Sequence, residues 1–137
     1  MYIDILGTPY NIKFQTPQEN PKLDIADANG LAELYSKELI IRTGYEDDPN
    51  SFNNVTEFRE KVMRHEVIHA FFHECGLDIY SDDETLVNFL ALQFPKLEAV
   101  MHKVHELHTE VIEGNKQCLR EATQSTASAV DEDWDMK

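Results

Sequence analysis

Residues 65–76, HEVIHAFFHECG, contain the pattern His-Glu-x-x-His. On a helix with 3.6 residues per turn, His65 and His69 lie one above the other, rotated by about 40°. Two imidazoles placed in this way reach one metal ion and leave positions for a third ligand and a water molecule. Glu66 lies about 100° round the helix from His65, so it flanks the ion without binding it, as expected of a general base.

The neighbours of the two histidines admit a second interpretation. Phe58, Val62, Ile68 and Phe72 fall within roughly 60° of His65 on the same helix, so the histidines face the interior. A single histidine there is most often a hydrogen-bonded core residue. Two of them beside a glutamate are costly to bury without a shared partner. Metal binding is therefore the favoured interpretation, and structural histidines are the alternative.

Length and charge bound the remaining possibilities. The chain has 137 residues, enough for one domain with a core that needs no disulfide. Its 12 basic and 26 acidic residues give a net charge of −14, which repels the phosphates of nucleic acids and of anionic membranes. Direct binding to nucleic acid or to a membrane is therefore not expected.

Several features of the chain indicate a cytoplasmic protein. Cys75 and Cys118 have no paired spacing and are interpreted as free thiols in a reducing compartment. The first residues lack the basic and apolar segments of a signal peptide, and no apolar run has the length of a membrane span.

The first 42 residues predict four strands in two antiparallel hairpins. Residues 2–6 and 10–14 alternate around a turn at Gly7-Thr8-Pro9, and residues 30–35 and 38–42 form the second pair. A helix over 26–41 is the alternative, but the β-branched run at Ile40 and Ile41 favours strands. The expected fold is α+β, with an N-terminal antiparallel sheet packed on the helix that carries His-Glu-x-x-His.

That helix is predicted over residues 56–75, with Asn54 as its N-cap, Glu57 three residues later and Gly76 as its C-terminal stop. Two further helices follow, one starting at 81–84 and interrupted by Pro95, the other from Lys96. The domain is expected over residues 1–112, followed by a mobile, acidic tail at 113–137.

The last helix has a narrow apolar stripe with charged residues outside it, spaced by alternate steps of three and four. The stripe consists of Leu97, Val100, Val104, Leu107 and Val111. One interpretation is that it packs on the domain's own core. The other is that it forms a homodimer or binds a partner helix.

Two residues compete for the third ligand position. His73 continues the series, but an unbroken helix carries it about 12 Å from His65, too far to share an ion at zinc–nitrogen distances of about 2 Å. Glu84 begins the next helix, and the break at Gly76 allows that helix to fold back. A purely structural role is the alternative, because Ser81-x-x-Glu84 is also a capping box. Nearby Asp82 and Asp83 are possible substitutes.

Taken together, these motifs resemble a known family. The hairpin strands, His65-Glu66-x-x-His69 and Glu84-x-x-x-Asn88-Phe89-x-Ala91 are similar to the ImmA/IrrE-type zinc metallopeptidases of phages and mobile elements. The resemblance covers roughly residues 2–94. It implies a small zincin-like (gluzincin-like) domain in which His65, His69 and Glu84 hold one zinc ion. It also implies a substrate among cytoplasmic regulatory proteins, chiefly transcriptional repressors.

The expected activity is zinc-dependent hydrolysis of a peptide bond in a protein or peptide substrate. Glu66 would act as general base for a zinc-bound water. Candidate donors to the developing oxyanion are Tyr80, Tyr35, His102 and His105, and residues 39–42 offer a strand for substrate pairing. The alternative function is an acidic, phage-type interaction or inhibitor protein whose metal site is structural or vestigial and which catalyses nothing.

Overall fold

The computed structural model describes the backbone of residues 1–45 and 54–134, and the side chains of residues 1–45 and 54–127. The segment over residues 44–54, which the sequence predicts to be an acidic and polar surface loop, falls mostly outside this range. The elements in chain order are β1 (Tyr2–Ile5), β2 (Thr8–Gln15), α1 (Lys22–Ile25), β3 (Gly30–Glu33), β4 (Glu38–Arg42), α2 (Val55–Glu74), α3 (Asp78–Ser81) and α4 (Glu84–Trp134). The fold is α+β with one four-stranded sheet, as the sequence predicted.

The first hairpin turns at Leu6 and Gly7, one residue earlier than predicted. Both residues have positive φ, 53° and 87°, which is the backbone of a two-residue type I′ turn. The carboxylate of Asp4 accepts a hydrogen bond from the Gly7 N–H at 2.8 Å. Pro9 consequently lies inside β2, where it pairs with Asp4.

The sheet is mixed, so the prediction of a wholly antiparallel sheet is wrong. Both predicted hairpins form, but β2 and β4 pair in parallel, with Ile12 opposite Leu39, and the strand order is β1-β2-β4-β3. β4 lies between β2 and β3, so the prediction that residues 39–42 offer a strand for substrate pairing is also wrong. The edge strand next to β4 is β3.

Local sequence signals set both ends of α2. Asn54 is the N-cap: its side chain accepts from the Glu57 N–H at 3.1 Å. At the other end, Gly76 has a φ of +74°, and the N–H groups of Gly76 and Leu77 donate to the carbonyls of His73 and Phe72. This pair of bonds is a Schellman motif, so the predicted stop at Gly76 is confirmed. Val62 and Ala70 of α2 share one buried cluster with residues of the sheet: Ile5, Tyr10, Ile12, Leu39 and Ile41.

The C-terminal end of α2 is tied to the sheet by one carboxylate. Glu74 accepts hydrogen bonds from the Thr8 hydroxyl at 2.9 Å, the Tyr10 hydroxyl at 2.5 Å and the Lys37 ammonium at 2.7 Å. The Lys37 hydrogen bond, followed by that of Tyr10, lowers the pKa of Glu74 to about 2. Burial, followed by the bond to Glu74, raises the pKa of Tyr10.

These bonds predict an acid-dependent part of the stability. Because the pKa of Glu74 is lower in the folded than in the unfolded chain, its contribution is present above about pH 4.5 and is lost as the pH falls toward 2. Glu74→Gln should therefore lower the free energy of unfolding at pH 7. The difference in this free energy between parent and variant should become smaller as the pH falls from 5 toward 2. Urea unfolding of both proteins at pH 7, 5 and 3 measures this, and a difference that stays constant over the range would contradict it.

α4 continues through Pro95, where the sequence predicted an interruption. Proline has no N–H to donate to the carbonyl four residues earlier, which is that of Ala91. The structure supplies another donor, because Arg64 Nε of α2 hydrogen-bonds the Ala91 carbonyl at 2.9 Å. Ala91 is fully buried, so water cannot take the place of Arg64 as a donor to this carbonyl. Loss of the Arg64 side chain would therefore leave the Ala91 carbonyl without a hydrogen bond.

Arg64 and position 95 should therefore be energetically coupled. Arg64→Met is expected to lower the free energy of unfolding by about 1–3 kcal/mol, the cost of a buried carbonyl that loses its partner. In a Pro95→Ala background the restored N–H can bond Ala91, so the same change should cost less. A double-mutant cycle by urea unfolding tests this, and equal costs in the two backgrounds would show that Arg64 does not stand in for the missing bond.

The chain divides into two compact units, Met1–Phe94 and Pro95–Lys137, and the sequence-based division at residue 112 stays a prediction. The described residues of the second unit all belong to α4, including the segment predicted as a tail up to Trp134, and residues 135–137 lie outside the description. Among the described residues, no helix combines the length and the apolar character needed to span a membrane.

Candidate metal centre

His65 and His69 present their Nε2 atoms to each other from successive turns of α2. The two atoms are 3.0 Å apart, and the ring centroids are separated by 4.7 Å. The side chains are mostly buried, 17% and 12% exposed. Two nitrogen lone pairs at this distance repel unless a proton or a cation lies between them.

Glu84, the first residue of α4, completes this group. Its Oε2 atom lies 3.2 Å from Nε2 of His65, and its Oε1 atom lies 3.0 Å from Nε2 of His69. The alternative role of Glu84 in a Ser81 capping box is wrong, because Asp83 caps the helix instead: its carboxylate accepts from the Leu86 N–H at 3.1 Å. The Glu84 carboxylate is thereby directed at the histidines.

The helical turn before α4 orients the His69 ring. His69 Nδ1 lies 2.5 Å from the backbone carbonyl of Ser81, and the Ser81 hydroxyl donates to the His69 carbonyl at 2.9 Å. A carbonyl only accepts, so Nδ1 carries the proton and Nε2 keeps a lone pair for a ligand bond. This arrangement, an imidazole held by a backbone carbonyl through its other nitrogen, is the usual support of a metal-binding histidine.

Asn88, one turn after Glu84, lines the same cavity as His65, and the interaction of its side chain with the His65 ring raises the pKa of that ring. Burial, and then the neighbouring His69, lower the pKa of His65 against the opposing effects of Glu84 and Asn88. The neutral ring that results is the form that binds metal. Sequence reasoning gave Asn88 no role at the site, although its spacing of four from Glu84 places both on one helix face.

The three side chains fit a divalent metal ion. Within the described residues, His65, His69 and Glu84 are the His/Cys/Asp/Glu group whose ligand atoms lie close enough to share an ion, all within 4.8 Å of one another. Tetrahedral zinc with ligand bonds of about 2.0–2.1 Å separates its ligand atoms by roughly 3.3 Å. The separations of 3.0–3.2 Å, in which each histidine faces a different oxygen of Glu84, are near that value. Two imidazoles and one carboxylate are also a donor set that leaves a position open.

Glu66 is buried beside this group, with 5% of its surface exposed. Burial, and then the nearby Glu84 carboxylate, raise the pKa of Glu66 to about 8. Its side chain lies against the start of β3: a Cβ placed on Gly30 would be 2.7 Å from Glu66 Oε1 and 2.9 Å from Val62 Cγ1. Any larger residue at position 30 would displace the carboxylate, so this glycine has a packing function that the sequence pattern did not reveal.

A cavity of about 620 Å³ surrounds the candidate ligands. Its walls come from β3 and the loop before it, from one face of α2, and from the residues around the start of α4. Polar groups from all of these elements line it: Asn29, Lys61, Glu66, Asp82 and Asn88.

The remaining predicted site residues lie elsewhere or stay untested. His73 does not join the ligand group; it bonds Asp78 at 2.6 Å and contacts the Tyr35 ring edge to face. Tyr35 and Tyr80 do not line the cavity, and Tyr80 packs on Phe72. His102 and His105 are exposed residues of α4 in the second unit.

Comparison with known proteins adds no relative to this geometry. None of the family models, curated proteins or solved structures compared with the chain matches it.

Proposed function

We propose that this chain is a metal-dependent peptidase with a zincin-like active site. The observation that supports the proposal is that ligand atoms of His65, His69 and Glu84 lie within 4.8 Å of one another. Glu66, a buried glutamate of the helix that carries both histidines, lies beside them. A structural metal site would be expected to close its coordination with a fourth side chain and has no use for an adjacent buried carboxylate. The sequence motif and the arrangement of these side chains thus favour the same chemistry.

The residues His65, His69 and Glu84 would hold the metal, and zinc is the ion that best suits two imidazoles and a carboxylate. When bound, such an ion polarises a carbonyl and makes a water molecule more acidic. The hydrogen bond to the Ser81 carbonyl holds the His69 imidazole in the orientation that metal binding requires. This contact would let His69 bind metal without rearranging α2.

In its ionised form, Glu66 would accept a proton from the attacking water and pass it to the leaving amine. A divalent cation held by the neighbouring ligands would favour that form, because its charge opposes the effect of Glu84 on the pKa of Glu66. The burial of Glu66 removes competing bulk water, and Gly30 on one side limits where its carboxylate can lie. A group that moves a proton must stay within hydrogen-bonding distance of the reacting atoms, so this confinement serves the step.

A peptide substrate would bind in extended form along β3. This strand is the edge of the sheet next to β4, and its residues line the cavity that contains the ligands. Pairing with a sheet edge holds the substrate backbone through main-chain hydrogen bonds, while side chains select the sequence. The resemblance to ImmA/IrrE-type peptidases supports the same substrate class, a cytoplasmic regulatory protein such as a repressor.

A mixed peptide library tests the proposal without knowledge of the natural substrate. The purified chain, reconstituted with zinc, should produce new peptide ends that mass spectrometry detects, and a chelator such as 1,10-phenanthroline should suppress them. Addition of excess zinc to the inhibited sample should restore cleavage. A zinc-loaded chain that produces no new ends from the library would contradict the proposal.

The net charge of −14 favours one other function. Such a charge steers association with basic partners, so the chain could instead act as an acidic interaction or inhibitor protein whose metal site is structural or vestigial. One substitution, Glu66→Gln, distinguishes the two functions. A binding protein would retain its affinity for its partner, whereas a peptidase would lose its turnover. One form of this alternative is a DNA mimic, whose acidic surface would take the place of DNA on a basic protein. Competition with duplex DNA for such a protein tests it.

A further inference from the structure

The apolar stripe of α4 is exposed over its whole length. Its five residues, all in the second unit, are between 47% and 60% exposed: Leu97, Val100, Val104, Leu107 and Val111. None of them belongs to the buried core cluster. Helices in proteins draw most of their stability from the packing of an apolar face against another element. We therefore expect this face of α4 to have a partner.

The spacing of the stripe is that of a two-stranded coiled coil. Steps of three and four place Leu97, Val104 and Val111 at one core position of the heptad, and Val100, Leu107 and Gly114 at the other. A narrow stripe of this kind contacts one helix, since a helix within a globular core carries a wider apolar face. The face therefore fits a second helix of the same pattern.

We propose that residues 97–114 of α4 pair in antiparallel orientation with the same segment of a second copy of this chain. Packing supports the orientation. An antiparallel pair centred between Val104 and Leu107 sets each Leu97 opposite Gly114 of the other copy, so a large side chain meets a position without one. A parallel pair would set Gly114 against Gly114 and leave a gap in the core.

Charge supports the same orientation. In the antiparallel register, Lys103 of each copy lies next to Glu110 of the other, which gives two opposite-charge pairs across the interface. The parallel register places Lys103 beside His108 and Glu110 beside Asn115, and forms no such pair. The segment itself also tolerates association: residues 95–127 carry four basic and five acidic side chains, although the whole chain carries −14.

Charge exchange in the full-length chain tests the pairing and its orientation. Sedimentation equilibrium at 150 mM salt should show a dimer for the parent. Lys103→Glu turns both attractive pairs into repulsive ones and should raise the dimer dissociation constant on the order of tenfold. Adding Glu110→Lys should restore dimerisation, because the two charges then exchange places.

Lys116→Glu is the matched control, because it makes the same charge change two residues after Gly114, on the helix face away from the proposed interface. It also loses an i, i+3 ion pair like the one that Lys103 makes, 3.3 Å to Glu113 against 3.4 Å to Glu106. This variant should dimerise like the parent, and Leu107→Asp should abolish the dimer. A parent that stays monomeric at every concentration, or a Lys103→Glu defect that Glu110→Lys does not correct, would overturn the antiparallel pair.

Discussion

Glu66→Gln is expected to leave metal binding unchanged and to slow peptide cleavage by about 10²–10⁴-fold. Glutamine has nearly the same shape, so it fits the space beside Gly30, but its amide cannot accept and return a proton. The ligand atoms of His65, His69 and Glu84 are untouched by the change. Initial cleavage rates on a peptide selected from the library, measured at equal metal content, give the comparison.

Glu60→Gln is the matched control for this experiment. It makes the same chemical change at an exposed position of α2 and should cleave at the parental rate. Thermal unfolding of both variants verifies that the fold is retained. A Glu66→Gln protein that turns over as fast as the parent would remove Glu66 from the mechanism.

Glu84→Gln is expected to weaken zinc binding by more than about 100-fold, because a lost ligand costs at least as much as a lost supporting hydrogen bond. Asp83→Asn is its control: asparagine caps a helix as well as aspartate does, so the start of α4 should be preserved. Titration of each metal-free protein against a chromophoric chelator measures the affinities. Should Asp83→Asn lose the metal while Glu84→Gln keeps it, the third ligand has been assigned to the wrong carboxylate.

The helix that carries the motif could be predicted from local sequence. Asn54 and Glu57 mark its beginning, Gly76 marks its end, and the spacing of His65 and His69 places both rings on one face. These features depend on residues within a few positions of one another, where short-range hydrogen bonding and steric effects dominate. The sheet was only partly predictable, because its parallel pairing depends on residues far apart in the sequence. β2 pairs with β4 through residues such as Asn11 and Glu38, and no local sequence pattern predicts this pairing.

Two long-range contacts decide what the sequence of residues 81–95 left open at Glu84 and predicted wrongly at Pro95. Asp83 caps α4, although a Ser81–Glu84 capping box was the alternative at this helix start. The Glu84 carboxylate contacts His65 and His69 instead, and these contacts with α2 cannot be predicted from the local sequence. Pro95 continues the helix because Arg64, from another helix, bonds the carbonyl that proline leaves without its donor. The backbone carbonyl of Ser81, which orients His69, has no side-chain signature and was invisible in the sequence.

The metal content of the chain purified without a histidine tag tests the central claim most directly. After incubation with zinc and dialysis, elemental analysis by plasma mass spectrometry should find about one ion per parent chain and almost none in a folded His69→Ala variant. A parent chain that retains no metal, or a His69→Ala variant that retains as much as the parent, would contradict a metal centre built on His65, His69 and Glu84.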